Sequence, residues 1–218
     1  MSKPWRNISA RQVPVDKITE AVKRRYNRIA PFYDLLVGRA PDKWWELLWS
    51  KVEGNKILEV GVGTGKSFPF YPPGAEVTAI DFSIRMLVRA RAKAQKHGVK
   101  VRLLEMDVQN IEFEDDMFDT VVASLVFCSV PRAVRGLMEV NRVCKPGGRV
   151  VLLEHVLSEN CIAERLMNLF NPLVFWLVGD NINRKTVQDV ANSGLAVERV
   201  TELAAGIFKL IEAKKKSE

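Results

Sequence analysis

Apolar positions recur along this chain with two different periods, and the change of period marks a change of architecture. Ile18, Val22, Tyr26, Ile29 and Tyr33 follow steps of three and four, one face of a helix, with Arg24, Arg25 and Arg28 off that face. Pro31 is expected to break or kink this helix, because its ring displaces Ala30 from the helical region. Gly38 is expected to end the segment. Residues 41–54, PDKWWELLWSKVEG, open on a proline and close on Gly54, which predicts a second helix. Trp44, Leu47, Leu48 and Trp49 are spaced on it to bury against the rest of the domain.

From residue 56 the pattern alternates between strand and helix. KILEV (56–60) and EVTAID (76–81) read as short buried strands, KVRLLEMD (100–107) as a third and the β-branched FDTVVASLVF (118–127) as a fourth. Between them, residues 83–98 read as a helix with Ser83 as N-cap and Gly98 as stop. Residues 131–148 predict a helix stopped by Pro-Gly-Gly, followed by a fifth strand over 149–156. Such alternation argues for right-handed βαβ units and an open parallel sheet with helices on both faces. Beyond residue 158 the pattern is less regular: 159–170 looks helical, RKTVQDVANSG a short helix ending on Gly194, and LAVERVTELAAGIFKLIEAK two strands joined near Ala204–Gly206. No repeat or low-complexity linker divides the chain, so residues 1–218 are expected to form one domain, with 1–54 as an N-terminal helical extension.

Composition narrows the class. With 47% apolar and 27% charged residues in 218, the chain is ordinary for a globular α/β domain. The most apolar run, NPLVFWLVG (171–179), is too short for a membrane span and carries Asn171 and Pro172. The first residues lack the apolar stretch of a signal peptide. Three widely spaced cysteines, Cys128, Cys144 and Cys161, suggest a reduced, cytoplasmic chain with no metal cluster or disulfide frame. The net charge of +7 is concentrated: Lys3, Arg6, Arg11, Lys17, Lys23, Arg24, Arg25 and Arg28 face only Asp16 and Glu20 within the first 30 residues. This is either a solvated helix face or a contact with an anionic surface, membrane or nucleic acid. Nothing interleaves aromatics with bases or matches a nucleic-acid module, which disfavours nucleic acid.

The chemistry centres on ILEVGVGTGKSF (57–68). A phosphate-binding P-loop needs glycine five residues before Gly65, where Val60 stands. The dinucleotide fingerprint needs glycine at position 66, where Lys66 stands. Lys66 is then expected to face solvent in the first turn of a following helix. Glu59, at the end of the strand, would disfavour pyrophosphate and suit a ligand with cationic groups. S-adenosylmethionine, with a sulfonium, an ammonium and no phosphate, is such a ligand. Asp81 ends the second strand twenty residues after Gly61, where an acid binds ribose hydroxyls in this topology. Asp107 ends the third strand, placed for the adenine edge, while Ser124 and Leu125 end the fourth and would floor the pocket. Each of these alone is equally a cap or a loop anchor.

Taken together, LEVGVGTG, AIDFS, EMDVQNIEFEDDMFD and KPGGRVVLLE resemble the ordered motifs of class I S-adenosylmethionine-dependent methyltransferases over about residues 20–213. The resemblance implies a Rossmann-like, seven-stranded, mostly parallel sheet ending in an antiparallel hairpin. It implies Glu59 supporting the loop and the methionine ammonium, with Gly61, Gly63, Thr64 and Gly65 lining the methionine end. Asp81 would take the ribose, Phe82 and Met86 would flank the adenine, and Asp107 and Val108 would meet its edge. YNRIAPFYD (26–34) resembles the lid of ubiquinone/menaquinone methyltransferases and bacterial phospholipid N-methyltransferases, with Tyr26 and Tyr33 carried over as lid or as helix-face core. LVFCSVPRA, VCKPGGRVVLLEHV and NPLVFWLVGDNINRKT instead resemble the methyltransferase-like thiol methyltransferases.

Both branches imply a lipophilic, membrane-proximal acceptor, with a phosphatidylethanolamine-type amine ahead of a thiol or a quinol carbon. A basic N-terminus at an anionic lipid surface fits either. His155, one of two histidines, is the candidate general base or acceptor-orienting group, or else a packed strand-end histidine. Asp180 and Asn181 would line the acceptor pocket or cap the next helix, and Cys128 is a methyl-site thiol or a small core residue. An NAD-dependent oxidoreductase and a non-catalytic cofactor-binding module remain as readings from other classes.

Overall fold

The computed structural model describes residues 17–217 apart from 38, 39, 159, 178 and 205. Lys3, Arg6 and Arg11 of the basic N-terminus, and the stop expected at Gly38, lie outside the described residues. Three short helical pieces come first: α1 (Lys17–Ile29), a 3-10 turn (Ala30–Phe32) leading into α2 (Tyr33–Val37), and α3 (Asp42–Trp49). Pro31 sits in the 3-10 turn, so the expected break is there.

Then strand and helix alternate: β1 (Lys56–Val60), β2 (Glu76–Asp81), α4 (Ile84–His97), β3 (Arg102–Glu105), β4 (Phe118–Ser124), α5 (Ala133–Val143) and β5 (Cys144–His155). α6 (Cys161–Leu177), α7 (Thr186–Asn192), β6 (Ala196–Ala204) and β7 (Phe208–Lys214) complete the chain. The sheet order is β3-β2-β1-β4-β5-β7-β6. β1 to β5 pair in parallel, while β7 runs antiparallel between β5 and β6.

The period of two along each strand separates two apolar layers. Leu58, Val60, Val121, Ala123 and Leu152 belong to the core beneath α5 and α7. Ile57, Val122, Val151 and Leu153, one residue out of phase, meet the indoles of α3. α4 covers Ala79 of β2 through Leu87 and Ala90. Ser83 caps α4 by accepting from the Met86 N–H at 3.3 Å, and Gly98 ends it at φ 67°, the left-handed stop the sequence predicts.

The structure departs from the sequence reading at several places; β3 ends at Glu105 and β4 at Ser124, short of the expected 107 and 127. α5 ends at Val143, and Cys144–Gly148 already belong to β5, with a register shift opposite Phe118–Thr120. The Pro-Gly-Gly there shapes an irregular strand start rather than a helix stop. α6 runs on to Leu177, through Pro172. The buried face of α1 is Thr19, Val22 and Tyr26, so Ile18 stands half exposed while the Thr19 hydroxyl accepts from Gln109. Between β1 and β2 turns lead into a 3-10 segment (Phe68–Phe70) where an α-helix was expected. Pro69, Pro72 and Pro73 within FPFYPPG remove the N–H donors a helix requires. Trp45, absent from the predicted core of α3, is 1% exposed.

Candidate active site

The strand order reverses between β1 and β4, and open α/β sheets bind ligands at the carboxyl ends of strands beside such a switch. A cleft of about 590 Å³, counting its open mouth, lies there. That is within the range of small-molecule sites. Gly61 and Gly63 form one wall, Phe82, Met86 and Val108 the apolar sides, and Leu125, Val126 and Val130 the floor. Tyr26 and Tyr33 of the N-terminal segment also line it.

The glycine loop turns because its first residue takes φ 67°, a conformation in which a Cβ would sit 2.4 Å from Val126 Cγ2. Its N–H donates to the Ile80 carbonyl at 2.8 Å, tying loop to β2. Asp81 then holds the second turn: Oδ2 accepts from the Gly63 N–H at 2.9 Å and Oδ1 from the Ser83 N–H at 2.8 Å. The carboxylate at the cleft thus also fixes the loop and the start of α4. Asp107, likewise in the cleft, accepts from the N–H and the side-chain amide of Gln109.

Four residues expected in the pocket stand behind it. Glu59 is 1% exposed and accepts from the hydroxyls of Ser67 and Tyr71, so it braces the loop from beneath. Thr64 donates to Asp34 of α2, joining the loop to the N-terminal segment. Gly65 turns at φ 81° against the Phe68 ring. Ser124 stops short of the cleft; the chain reverses at Leu125, φ 57°, and Leu125 and Val126 form the floor.

Lys66 sits in a turn rather than a helix and is partly exposed; its ammonium lies 5.4 Å from the Trp45 ring centroid and pairs with the exposed Asp42. His155 is not part of the cleft either. It packs edge-on against Phe208, centroids 5.1 Å apart, and burial lowers its pKa. The pleat explains this: Glu154 and His155 point to opposite faces, and it is Glu154 that turns toward the site.

Glu154 is fully buried and accepts from the N–H groups of Val126 (3.0 Å) and Phe127 (3.1 Å), holding the floor. Its strand-end position is the same signature that marks Asp81 and Asp107 in the sequence. Gln109, which lies within EMDVQNIEFEDDMFD without being singled out there, and Thr19 also line the cleft. Gln109 joins three elements: its amide donates to the Thr19 hydroxyl and its carbonyl accepts from the Arg132 N–H.

At the mouth, Tyr26 donates to Asp180 Oδ1 at 2.6 Å and packs against Tyr33 and Phe82, with centroids 6.2 and 5.7 Å away. Asp180 is held by the N-terminal segment and caps no helix; burial raises its pKa. Cys128 is a buried thiol outside the cleft wall. Burial and the nearby Asp180 and Glu154 keep it protonated.

Burial also pushes the carboxyls of Glu59 and Glu154 up to about 7 and that of Asp81 up to about 6. A carboxyl whose folded pKa exceeds its unfolded one binds more protons when folded, so stability falls as pH rises between the two values. The ligand-free protein is therefore expected to melt at lower temperature at pH 7.5 than at pH 5. Glu59 alone would account for about 2 kcal/mol of that difference. Glu59→Gln should flatten the trend in melts taken across that range; an unchanged slope would exclude Glu59 as its source.

Among the described residues no lysine, arginine or histidine lines the cleft, whereas Asp81 and Asp107 do. A pyrophosphate would find no counter-charge there, while a cationic ligand with hydroxyls and a flat ring would be matched at each point.

The family model of the methyltransferase domain matches residues 58–152. A phosphatidylethanolamine N-methyltransferase from Cereibacter sphaeroides is 35% identical over 189 residues, 84% of this chain and 85% of that protein. A thiol S-methyltransferase from Homo sapiens is 41% identical over 107 residues, 47% of this chain and 43% of that protein. Among solved structures, the geranyl diphosphate C-methyltransferase from Streptomyces coelicolor, in complex with Mg2+, geranyl diphosphate and S-adenosyl-L-homocysteine, superposes with a TM-score of 0.74 at 13% identity. It covers 93% of this chain, which in turn covers 99% of that one, a likeness of fold.

Proposed function

The chain belongs to the class I S-adenosylmethionine-dependent methyltransferases, and within that family we propose that it methylates the amine of a phosphatidylethanolamine-type lipid headgroup. The observation that carries the reading of the acceptor is the half-buried carboxylate of Asp180 beside Tyr26, at the mouth of a cleft that no basic side chain lines among the described residues.

The cleft fits the cofactor. Asp81 stands where ribose hydroxyls are accepted, Phe82, Met86 and Val108 offer an apolar slot for adenine, and Asp107 lies at its edge. The Gly61–Gly63 backbone admits the methionine end, and the braced Glu59 keeps that backbone in place. The cofactor, when bound, supplies an electrophilic methyl group on a sulfonium.

The protein's part is then positioning and proton removal. An amine acceptor arrives as an ammonium, which an acidic mouth attracts and a basic one repels. Asp180 is suited to receive its proton, because burial raises the proton affinity of that carboxylate above that of a surface acid. Tyr26 orients Asp180 and belongs to the segment that closes over the cleft. Tyr26→Phe is expected to lower kcat/KM for the acceptor about tenfold through the misplaced carboxylate, with a much smaller effect on cofactor affinity. Equal losses in both would assign Tyr26 to the cofactor instead.

Similarity to the phosphatidylethanolamine enzyme over most of both chains supports the amine. A thiol acceptor is the second reading, supported by the local similarity to the human thiol S-methyltransferase; a quinol carbon is a third. Incubation with methyl-labelled S-adenosylmethionine and panels of phosphatidylethanolamine vesicles, thiols and quinols distinguishes them. Label in the ethanolamine lipid is the expected result, and label only in thiol or quinol would overturn the amine. Cofactor binding with no transfer to any panel would favour a non-catalytic binding module.

A further inference from the structure

α6 turns its large apolar side chains outward. Ile162, Leu166, Leu169, Phe170, Leu173 and Trp176 are each half exposed or more, from 50% at Leu166 and Phe170 to 70% at Leu169. At the helical repeat they share one stripe roughly 120° wide. The inward side is where the polar contacts lie: Asn171 accepts from the Ile182 N–H at 2.8 Å and donates to Asn181. This inverts the usual arrangement of a surface helix, and a continuous apolar face of this kind marks a binding surface. No helix among the described residues is long and apolar enough to cross a membrane.

We propose that the α6 stripe lies in the headgroup region of an anionic lipid bilayer, as an in-plane amphipathic helix. Charge selects this occupant over a protein partner or a second copy. α1 carries Lys17, Lys23, Arg24, Arg25 and Arg28 against a single acid, and α4 carries five Lys or Arg with no acid. α1 packs on α4, and it meets α6 where the Arg25 guanidinium lies 5.1 Å from the Phe175 ring centroid.

Arg24 and Arg28 are exposed, and Arg165 borders the stripe itself. Apolar side chains flanked by cations match the acyl–headgroup boundary of an anionic leaflet, and Trp176 sits on the stripe with the amphipathic ring favoured at that depth. Two further apolar side chains, Phe32 and Leu35, are 67% and 69% exposed on the segment that carries Tyr33 over the cleft. Because α6 leads directly to Asp180, a bilayer seated on this helix lies beside the mouth of the site. Any lipophilic acceptor would benefit, so the docking surface does not depend on the amine.

The test is co-sedimentation of the full chain with vesicles of phosphatidylglycerol and phosphatidylcholine, free of ethanolamine lipid. The wild-type chain is expected to sediment with them. Leu169→Asp with Leu173→Asp should lower the partition coefficient at least about tenfold. Arg24→Glu with Arg28→Glu should lower it at 50 mM salt and abolish most of its salt dependence. Cofactor affinity by calorimetry should be unchanged in both pairs, which separates docking from the site. If the aspartate pair melts early, Leu173→Ser with Trp176→Ser provides the same reading. Wild-type failure to sediment, or stripe variants that sediment as wild type, would overturn the proposal. So would a dimer in sedimentation velocity that the stripe variants dissociate, since a second copy would then be the occupant.

Discussion

Asp81→Ala should weaken S-adenosylmethionine binding about a hundredfold, a loss of about 2.7 kcal/mol. The side chain has two duties at once. Its oxygens accept from the N–H groups of Gly63 and Ser83, so truncation leaves two backbone donors unmet and frees the loop. The same carboxylate faces the cleft, where ribose hydroxyls would donate to it. Each lost bond to a charged acceptor is worth about 1.5–3 kcal/mol, and one or two such losses reach the expected magnitude.

Stability should respond differently. The Asp81 pKa of about 6 means that above it the ionised side chain is held buried at a cost, and alanine removes that cost along with the bonds. At pH 8 the ligand-free variant is therefore expected to melt close to wild type while calorimetry shows the fall in affinity. An affinity within threefold of wild type would remove Asp81 from the cofactor site. A large drop in melting temperature with proportionate loss of binding would make it a structural anchor only. Asp81→Asn, which keeps one acceptor oxygen, should fall between, near tenfold.

Gly61→Val is the second large effect, and it is steric. The backbone there is at φ 67°, and a Cβ would fall 2.4 Å from Val126 Cγ2 and 3.1 Å from Cγ1. A β-branched residue in the left-handed region is a true outlier, with strain of about 1–2 kcal/mol before any clash. Overpacking against a buried neighbour adds about 1–3 kcal/mol. The variant should lose about 3–4 kcal/mol in urea unfolding and bind cofactor too weakly to measure, because the backbone it displaces is a wall of the cleft. Gly74→Ala is the matched control: φ is 80° but nothing lies within 4 Å of the added Cβ. It should pay the strain of about 1–2 kcal/mol alone and leave cofactor affinity intact. Similar affinities in the two variants would show that Gly61 is only a turn.

What was legible in the sequence was local. Val122 and Val151, buried between neighbours on both sides, follow from β-branched runs bounded by turns. Ser83 and Gly98 bracket α4 because capping acts within four residues. Asp81 ends β2 and Asp107 follows β3 by two residues, and both line the cleft, because the positions at and just beyond a strand end beside a switch point are defined by chain order and β-α alternation. That no α-helix follows Gly65 is also local in origin: the prolines of FPFYPPG remove the donors a helix would need, and only a 3-10 segment forms.

Other features had no local cause. His155 and Glu154 are adjacent, and which one meets the site depends on the register of β5 against β4 and β7. A strand's two faces are equivalent until its neighbours are in place. Of the two roles the resemblance implies for Glu59, loop support and contact with the methionine ammonium, the structure shows the first: Ser67 and Tyr71, eight and twelve residues on, claim both its oxygens. The apolar residues of α6 read as ordinary helix periodicity, and periodicity does not say whether a stripe faces a core or solvent.

The sequence by itself determined the strand alternation, the glycine turn and the acids at or near the ends of β1, β2 and β3, because these follow from dihedral preference and a repeat of two or 3.6 residues. Tertiary structure alone decided that Asp180 meets Tyr26 across 154 residues, that Glu154 rather than His155 supports the site, and that the α6 stripe is left uncovered. Such pairings are set by the packing of whole faces, in which each residue's neighbours come from distant parts of the chain.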